Sequence, residues 1–257
     1  MTVQIYYKNG ASKKILGNSI LFVNEKFDIR GFKGHISTSE ISYISDLLKT
    51  YDLKKNILVF ELNSKKKIIL VSIKKEYKNS KIENLGAELY GVISNSKNSE
   101  YSISSKNINT KYPNFISHFL HGLKLKSYTF DKYKTKKKVN NIKINVIGKI
   151  DKSSTQSRLK FNAIEKGTFY TRDLVSEPGN ILHPDEYAKR LKTLKKYGLK
   201  VNIYDTKQMK KLGMNALIGV GQGSIRGSYL VTLEWNGIKS KKKPLAFVGK
   251  GVCFDTG

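Results

Sequence analysis

Cysteine, arginine and long apolar runs are scarce in this sequence, and each scarcity removes a class of protein. One cysteine, Cys253, among 257 residues excludes an internal disulfide and fits a reducing compartment. No stretch approaches the roughly 18 consecutive apolar residues of a membrane helix. The opening Met1-Thr-Val-Gln-Ile-Tyr-Tyr-Lys8 reads as a strand, without the charged segment, apolar core and cleavage site of a secretory leader. A cytoplasmic protein is the expectation. Acidic residues are also few: 20 stand against 48 basic ones, for a net charge of +28. Such a balance invites a nucleic-acid partner, because clustered cations neutralise phosphates and release counterions. Yet only Arg30, Arg158, Arg172, Arg190 and Arg226 are arginines. Arginine is the side chain suited to bidentate base and phosphate contacts. The lysines scatter along the chain among many Asn and Ile residues, so a general compositional bias with surface charge serving solubility is the simpler account.

What is present fits an α/β fold. The length allows one large or two modest domains with cores of their own. Residues 1–150 read as an N-terminal α/β domain. Its strands are Ser19–Asn24, Asn56–Leu62, Lys67–Ile73 and Asn141–Ile147, and its helices Glu40–Thr50 and Pro113–Lys126 carry apolar residues at helical spacing. Strands alternating with helices predict a mixed sheet covered on its faces. The polar runs Ser94–Glu100 and Ser102–Thr110 read as surface loops, and Asp151–Ser157 as a hinge or the start of a linking helix.

Residues 151–257 read as the first part of a larger α/β domain. A helix over Arg158–Val175 ends at Ser176-Glu-Pro-Gly-Asn180, where proline and glycine forbid continuation. Another starts at His183-Pro-Asp-Glu186, with proline in the first turn and acids facing the positive end of the dipole, and stops at Gly198. Next come a strand (Leu199–Tyr204), a short helix (Thr206–Leu212) and a glycine-rich loop (Gly219–Gly223). The strand Ser228–Trp235 follows, then an Asn236-Gly237 turn that predicts an antiparallel hairpin with a terminal strand, Leu245–Val248.

Several motifs carry residue types suited to chemistry. Gly219, Gly221 and Gly223 make a weak dinucleotide loop, lacking the G-x-G-x-x-G spacing and a preceding strand of a βαβ unit. Pro244 to Gly251 ends in Gly-Lys, but lacks the first glycine and the Ser/Thr of a phosphate loop. His118 and His121 share a helix face and have no third ligand, so satisfied or solvated histidines are expected. Cys253, between Val252 and Phe254, reads as a small hydrophobe. Lys250 and Asp255 remain, five residues apart beyond a strand end, where α/β sheets hold ligands. A carboxylate is a hard ligand able to bridge two dications, and an amine ligates once deprotonated. An exposed lysine and a turn aspartate are the alternative.

Phe247-Val-Gly-Lys250-Gly-Val-Cys-Phe-Asp255-Thr-Gly257 resembles the V-G-K-G-[VI]-x-F-D-[ST]-G signature of the M17 leucyl (cytosol) aminopeptidases. Thr171-Arg-Asp-Leu-Val-Ser-Glu-Pro-Gly-Asn180-Ile-Leu-His-Pro184 resembles that family's R-D-L-x-N-x-P-x-N-x-x-x-P segment, with Ser176 where many members carry Asn. Two further stretches, Lys211–Ser224 and His121–Lys134, are similar to family segments in the same order, while residues 1–110 match only in pattern. The resemblance implies peptide substrates and release of N-terminal, leucine-type residues. It implies two divalent metal ions, zinc or manganese, that activate water, with Lys250 ligating one and Asp255 bridging both. It also implies a homo-hexamer, and nucleic-acid contact through the N-terminal domain as in some members. No catalytic residue is assigned within the chain: the second lysine, the remaining carboxylate ligands and the bicarbonate-holding arginine are expected after Gly257. On that basis the 257 residues alone are expected to be inactive.

Overall fold

The computed structural model describes residues 3–8, 17–33, 35–76, 78–96, 99–104, 108, 114–136, 141–148, 152–238 and 243–253, with the side chains of 152–154 excepted. The chain divides into two compact units, Met1–Tyr170 and Thr171–Gly257.

The first unit is built on a six-stranded sheet. Its strands are β1 (Val3–Lys8), β2 (Asn18–Asn24), β3 (Ile57–Asn63), β4 (Lys66–Ile73), β5 (Glu100–Ser104) and β6 (Ile142–Ile147), in the order β1-β6-β5-β2-β4-β3. All neighbours run parallel except the edge pair β3–β4, which is a hairpin. Helices α1 (Thr38–Leu47), α2 (Asn79–Ile93), α3 (Phe115–Lys126) and α4 (Lys152–Ser176) supply the crossovers and the continuation. The predicted α/β class is therefore the one observed.

Alternation along β2 and β4 sorts side chains between two cores. Ile20, Phe22, Ile69 and Val71 join Leu85 and Leu89 of α2 and Phe119 and Leu123 of α3 on one face. Leu21, Val23, Ile68 and Leu70 join Phe27, Phe32 and Ile44 on the other. Strands in such a position read as continuous apolar runs, because parallel sheets are buried on both faces. Each fully buried side chain of this size contributes about 1.5–3 kcal/mol. The first face is tightened by aromatic edges: Phe22 meets Phe115 and Phe119 at centroid distances of 5.3 and 5.1 Å, both close to perpendicular.

The sequence expectation of loops at Ser94–Glu100 and Ser102–Thr110 needs correction. Glu100 opens β5, and Ser102–Ser104 complete it, pairing with both β2 and β6. Its serines disguise a strand whose apolar residues, Tyr101 and Ile103, are buried. Of the rest of the second run, residues 105–107, 109 and 110 lie outside the described ones. Helix α2 went unrecognised in the sequence, although Ile82, Leu85, Leu89 and Ile93 fall on one helical face.

Helices α2 and α3 touch backbone to backbone. A β-carbon at Gly86 would lie 1.9 Å from the carbonyl oxygen of Phe119, and one at Gly122 would lie 1.8 Å from that of Glu83. Only glycine fits at either position. Helix α4 then packs on α3 through Phe161, whose ring lies 4.8 Å from that of His118 and 4.5 Å from that of His121. Glu165 of α4 is buried and bound from two sides: Oε1 is 3.0 Å from His121 Nδ1 and Oε2 is 3.0 Å from Lys124 Nζ. His118 Nδ1 is 2.8 Å from Glu83 Oε1. The two histidines are thus satisfied by carboxylates, as expected from the sequence. Asp151 lies outside the described residues, but Lys152–Ser157 form the first turns of α4, so that stretch starts a helix. The guanidinium of Arg158 sits 4.2 Å from the Tyr7 ring centroid. Burial pushes the Tyr7 phenol up from 10.0 to about 12, with Arg158 opposing and the Glu165 charge adding to the rise.

Two outcomes are expected. Gly122→Ala should lower stability by about 1–3 kcal/mol, the usual cost of forcing atoms into a packed core, read from urea unfolding followed at a signal of the first unit. Tyr7 should ionise later than an ordinary tyrosine in an ultraviolet pH titration. Because folding favours its neutral form, its contribution to stability is full below pH 10.0 and falls as pH rises towards about 12. Tyr7→Phe should remove that step.

Candidate metal-ligand segment

The second unit holds the sequence-predicted ligands. It contains the end of α4, then α5 (Pro184–Lys192), β7 (Lys200–Tyr204), α6 (Thr206–Lys211), α7 (Asn215–Gly221) and β8 (Leu230–Glu234). Helix α5 starts as its sequence demands. Pro184 occupies the first turn, where no backbone donor is needed, and Asp185 and Glu186 face the positive end of the dipole. His183 is the cap: its Nδ1 lies 3.4 Å from the amide of Glu186. The chain leaves through a 3-10 turn (Thr193–Tyr197) and reverses at Gly198, where φ is +86°.

Two arginines pin this helix. Arg190 Nη1 is 2.9 Å from Glu177 Oε1 just past α4, and its Nε is 3.0 Å from Glu186 Oε1. The Glu177 side chain is only 2% exposed. Arg226 Nη1 lies 3.1 Å from Asp185 Oδ2, and Asp185 also pairs with His183. Desolvation works to raise Asp185, but its hydrogen bond with His183 and the nearby Arg226 outweigh that and hold the carboxyl below its usual value. Glu186 is held low chiefly by its hydrogen bond from Arg190.

The terminal segment lies against α5. A β-carbon at Gly251 would sit 2.6 Å from Cε1, 3.3 Å from Cδ1 and 3.7 Å from Cζ of Tyr187, so the Cδ1–Cε1 edge of the ring lies against this glycine. Burial, then the charge of Asp185, pushes the Cys253 thiol up, which makes it a poor nucleophile at neutral pH. Lys250 itself is exposed and forms no ion pair with a described residue. Asp255, its predicted partner, lies outside the described residues. Among the described residues no group of three or more His, Cys, Asp or Glu could hold a metal ion. One amine falls short of the three or four protein donors of a typical dication site, so the described residues do not by themselves make a metal centre.

Two sequence expectations are corrected here. Gly219 and Gly221 belong to α7 rather than to a loop, and Gly223 follows it. Each glycine costs a helix about 1 kcal/mol, but Leu217, Ile218 and Val220 between them keep the helical pattern. The hairpin around Asn236-Gly237 is not formed with the terminal segment. Instead β8 pairs antiparallel with β7, from Lys200 opposite Glu234 to Tyr204 opposite Leu230. Residues 243–253 join no ladder among the described residues, and Leu245, Phe247 and Val248 are 81%, 89% and 99% exposed. An apolar run becomes a strand only where a neighbouring backbone takes its hydrogen bonds. Tyr187 and the arginine pairs around α5 were missed by sequence reasoning.

Comparison with known proteins fits this architecture. Residues 169–257 match the catalytic-domain profile of the cytosol aminopeptidase family (peptidase M17). A protein of Nitrobacter winogradskyi described as "Probable cytosol aminopeptidase" is 35% identical over 252 residues, covering 96% of this chain and 48% of the relative. One of the same description from Chelativorans sp. is 48% identical over 146 residues, covering 53% of this chain and 28% of the relative. The fold is that of a mutant tomato leucine aminopeptidase, with a TM-score of 0.71 at 17% identity over 89% of this chain and 50% of that one. A bottromycin maturation enzyme in complex with Mn gives 0.65 at 14% identity over 85% and 45%. The α/β fold is thus shared with these two solved structures. The chain belongs to the cytosol aminopeptidase family, M17. It spans about half the length of the Nitrobacter relative. Among its described residues no helix is long and apolar enough to cross a membrane.

Arg190→Met should destabilise the second unit by about 1–3 kcal/mol, the range for taking a partner from a buried polar group. Denaturant unfolding of the variant, followed by a signal from Trp235 in that unit, checks this.

Proposed function

We propose that this chain forms part of a divalent-metal-dependent aminopeptidase that releases N-terminal residues of the leucine type from peptides. Identity of 35% running along 96% of the chain to a cytosol aminopeptidase carries the reading. Lys250 and Asp255 are the residues offered to the metals, manganese or zinc, and the Mn in the structure of a bottromycin maturation enzyme of similar fold supports the metal class. Bound divalent cations would polarise the peptide carbonyl and lower the pKa of a water. This chain's own contribution is the amine of Lys250 and the carboxylate of Asp255. Peptide substrates and assembly into a homo-hexamer follow from the family likeness and form part of the same proposal.

A polypeptide limited to residues 1–257 is expected to leave leucine p-nitroanilide intact with added manganese, since it offers one lysine and one carboxylate where two metals need more. The same residues continued with the C-terminal half of the Nitrobacter relative are expected to hydrolyse it. In that chimera Lys250→Ala should lower kcat/KM by about a hundredfold or more, because even partners behind a metal ligand cost about 10–100-fold. A folded, hexameric chimera without turnover overturns the reading.

A further inference from the structure

The most exposed large apolar side chains among the described residues, Ile225, Val248, Phe247, Val175 and Leu245, all belong to the second unit. That unit also leaves a strand edge open. Strand β8 pairs with β7 along one edge and, among the described residues, with nothing along the other. It carries none of the devices that guard an open edge. Its ladder has no bulge, Leu230-Val-Thr-Leu-Glu234 holds no proline, and the one charge, Glu234, is matched by Lys200 Nζ at 3.2 Å. Cover also stops between the two strands: Val201 of β7 is 4% exposed, whereas Leu233, its cross-strand neighbour on β8, is 43% exposed. Leu245-Ala-Phe-Val248 is a second open element. Four apolar residues in a row read as a strand covered on both faces, yet all four are exposed. Apolar surface of this extent marks a contact with another polypeptide, and an open edge takes an added strand through backbone hydrogen bonds.

The match to the Nitrobacter relative points to the occupant. Residues making up 96% of this chain correspond to 48% of that protein, and the family's catalytic-domain profile falls on residues 169–257, which hold the open elements. Beyond the matched residues the relative carries about as much chain again. We infer that the free edge of β8 and the apolar run at 245–248 form a docking surface for the C-terminal half of a cytosol aminopeptidase, and that this half binds as a separate polypeptide. It adds a strand to β8 and covers Phe247 and Val248, with no peptide bond to residue 257 required. What this surface provides is binding rather than turnover.

The test brings the whole 257-residue protein together with the separately encoded C-terminal half of the Nitrobacter relative, by co-expression and by mixing, and measures sedimentation velocity. Trp235 directly follows β8 and is the single tryptophan, so fluorotryptophan placed in this chain alone gives one 19F signal in the mixture. A 1:1 complex, a displaced Trp235 signal and slowed hydrogen exchange at 230–234 and 245–248 are expected. Phe247→Asp with Val248→Asp should weaken association about tenfold or more, as loss of buried interface anchors does. The same pair should leave the unfolding midpoint of the 257-residue protein in place, because both side chains are exposed in it. Tyr43→Asp, at an exposed position of α1 in the first unit, should leave association unchanged. No complex from either preparation, or a complex that the Phe247→Asp, Val248→Asp pair leaves equally tight, overturns the docking surface. So does a dimer of the 257-residue protein that the same pair converts to monomer, since the occupant is then a second copy. A complex that behaves as expected without hydrolysing leucine p-nitroanilide supports the docking surface and counts only against the aminopeptidase reading.

Discussion

A buried carboxylate governs how the first unit is assembled. Removing a charge from water costs several kcal/mol unless partners replace the lost solvation, and Glu165 of α4 finds His121 and Lys124 on α3, each at 3.0 Å. Both partners stand on the helix that is itself locked to α2 by glycine contacts at residues 86 and 122. The sequence of dependence is clear: the sheet supports α2 and α3, their glycines let the backbones meet, and α3 then offers the polar partners that Glu165 of α4 requires. Phe161 fills the space between the two histidines, so the polar contact is sealed by an apolar one.

The second unit repeats that logic around α5. Its buried acid is Glu177, its cation Arg190, and a second pair, Asp185 with Arg226, holds the first turn. A short helix with good caps but few buried apolar residues depends on such pairs, because propensity and dipole terms amount to about 0.3–1 kcal/mol each. The same helix carries Tyr187, which meets the terminal segment at Gly251. Exposed Leu245, Phe247 and Val248 leave that segment with little other support among the described residues.

Much of the fold was legible in the residues, and the failures have physical causes. Seven of the eight strands among the described residues and most helices followed from apolar spacing, and His183-Pro184 marked the start of α5, while Gly198 closes the 3-10 turn that follows it. β5 was read as a loop because Ser102 and Ser104 break the apolar signal, yet in the middle of a sheet serines can be buried when the backbone ladder is complete. Helix α7 was read as a glycine loop because local propensity outvoted the Leu217, Ile218 and Val220 pattern. The Asn236-Gly237 turn suggested a partner next in sequence, but β8 pairs with the earlier β7. Of the candidate site, Lys250 was legible from its motif, and the contact between Tyr187 and Gly251 was not.

Sequence alone determined what depends on near neighbours along the chain: the α/β alternation, the start of α5, the lack of a second cysteine, and the family motif around Lys250. Tertiary structure decided what depends on residues far apart: that His118 and His121 face Glu83 and Glu165, that β8 joins β7, and that Tyr187 lies against Gly251. The division has one physical reason. Caps, turns and periodicity act over a few residues, whereas the neutralisation of a buried charge and the fit of a ring on a glycine require the chain to bring distant positions together.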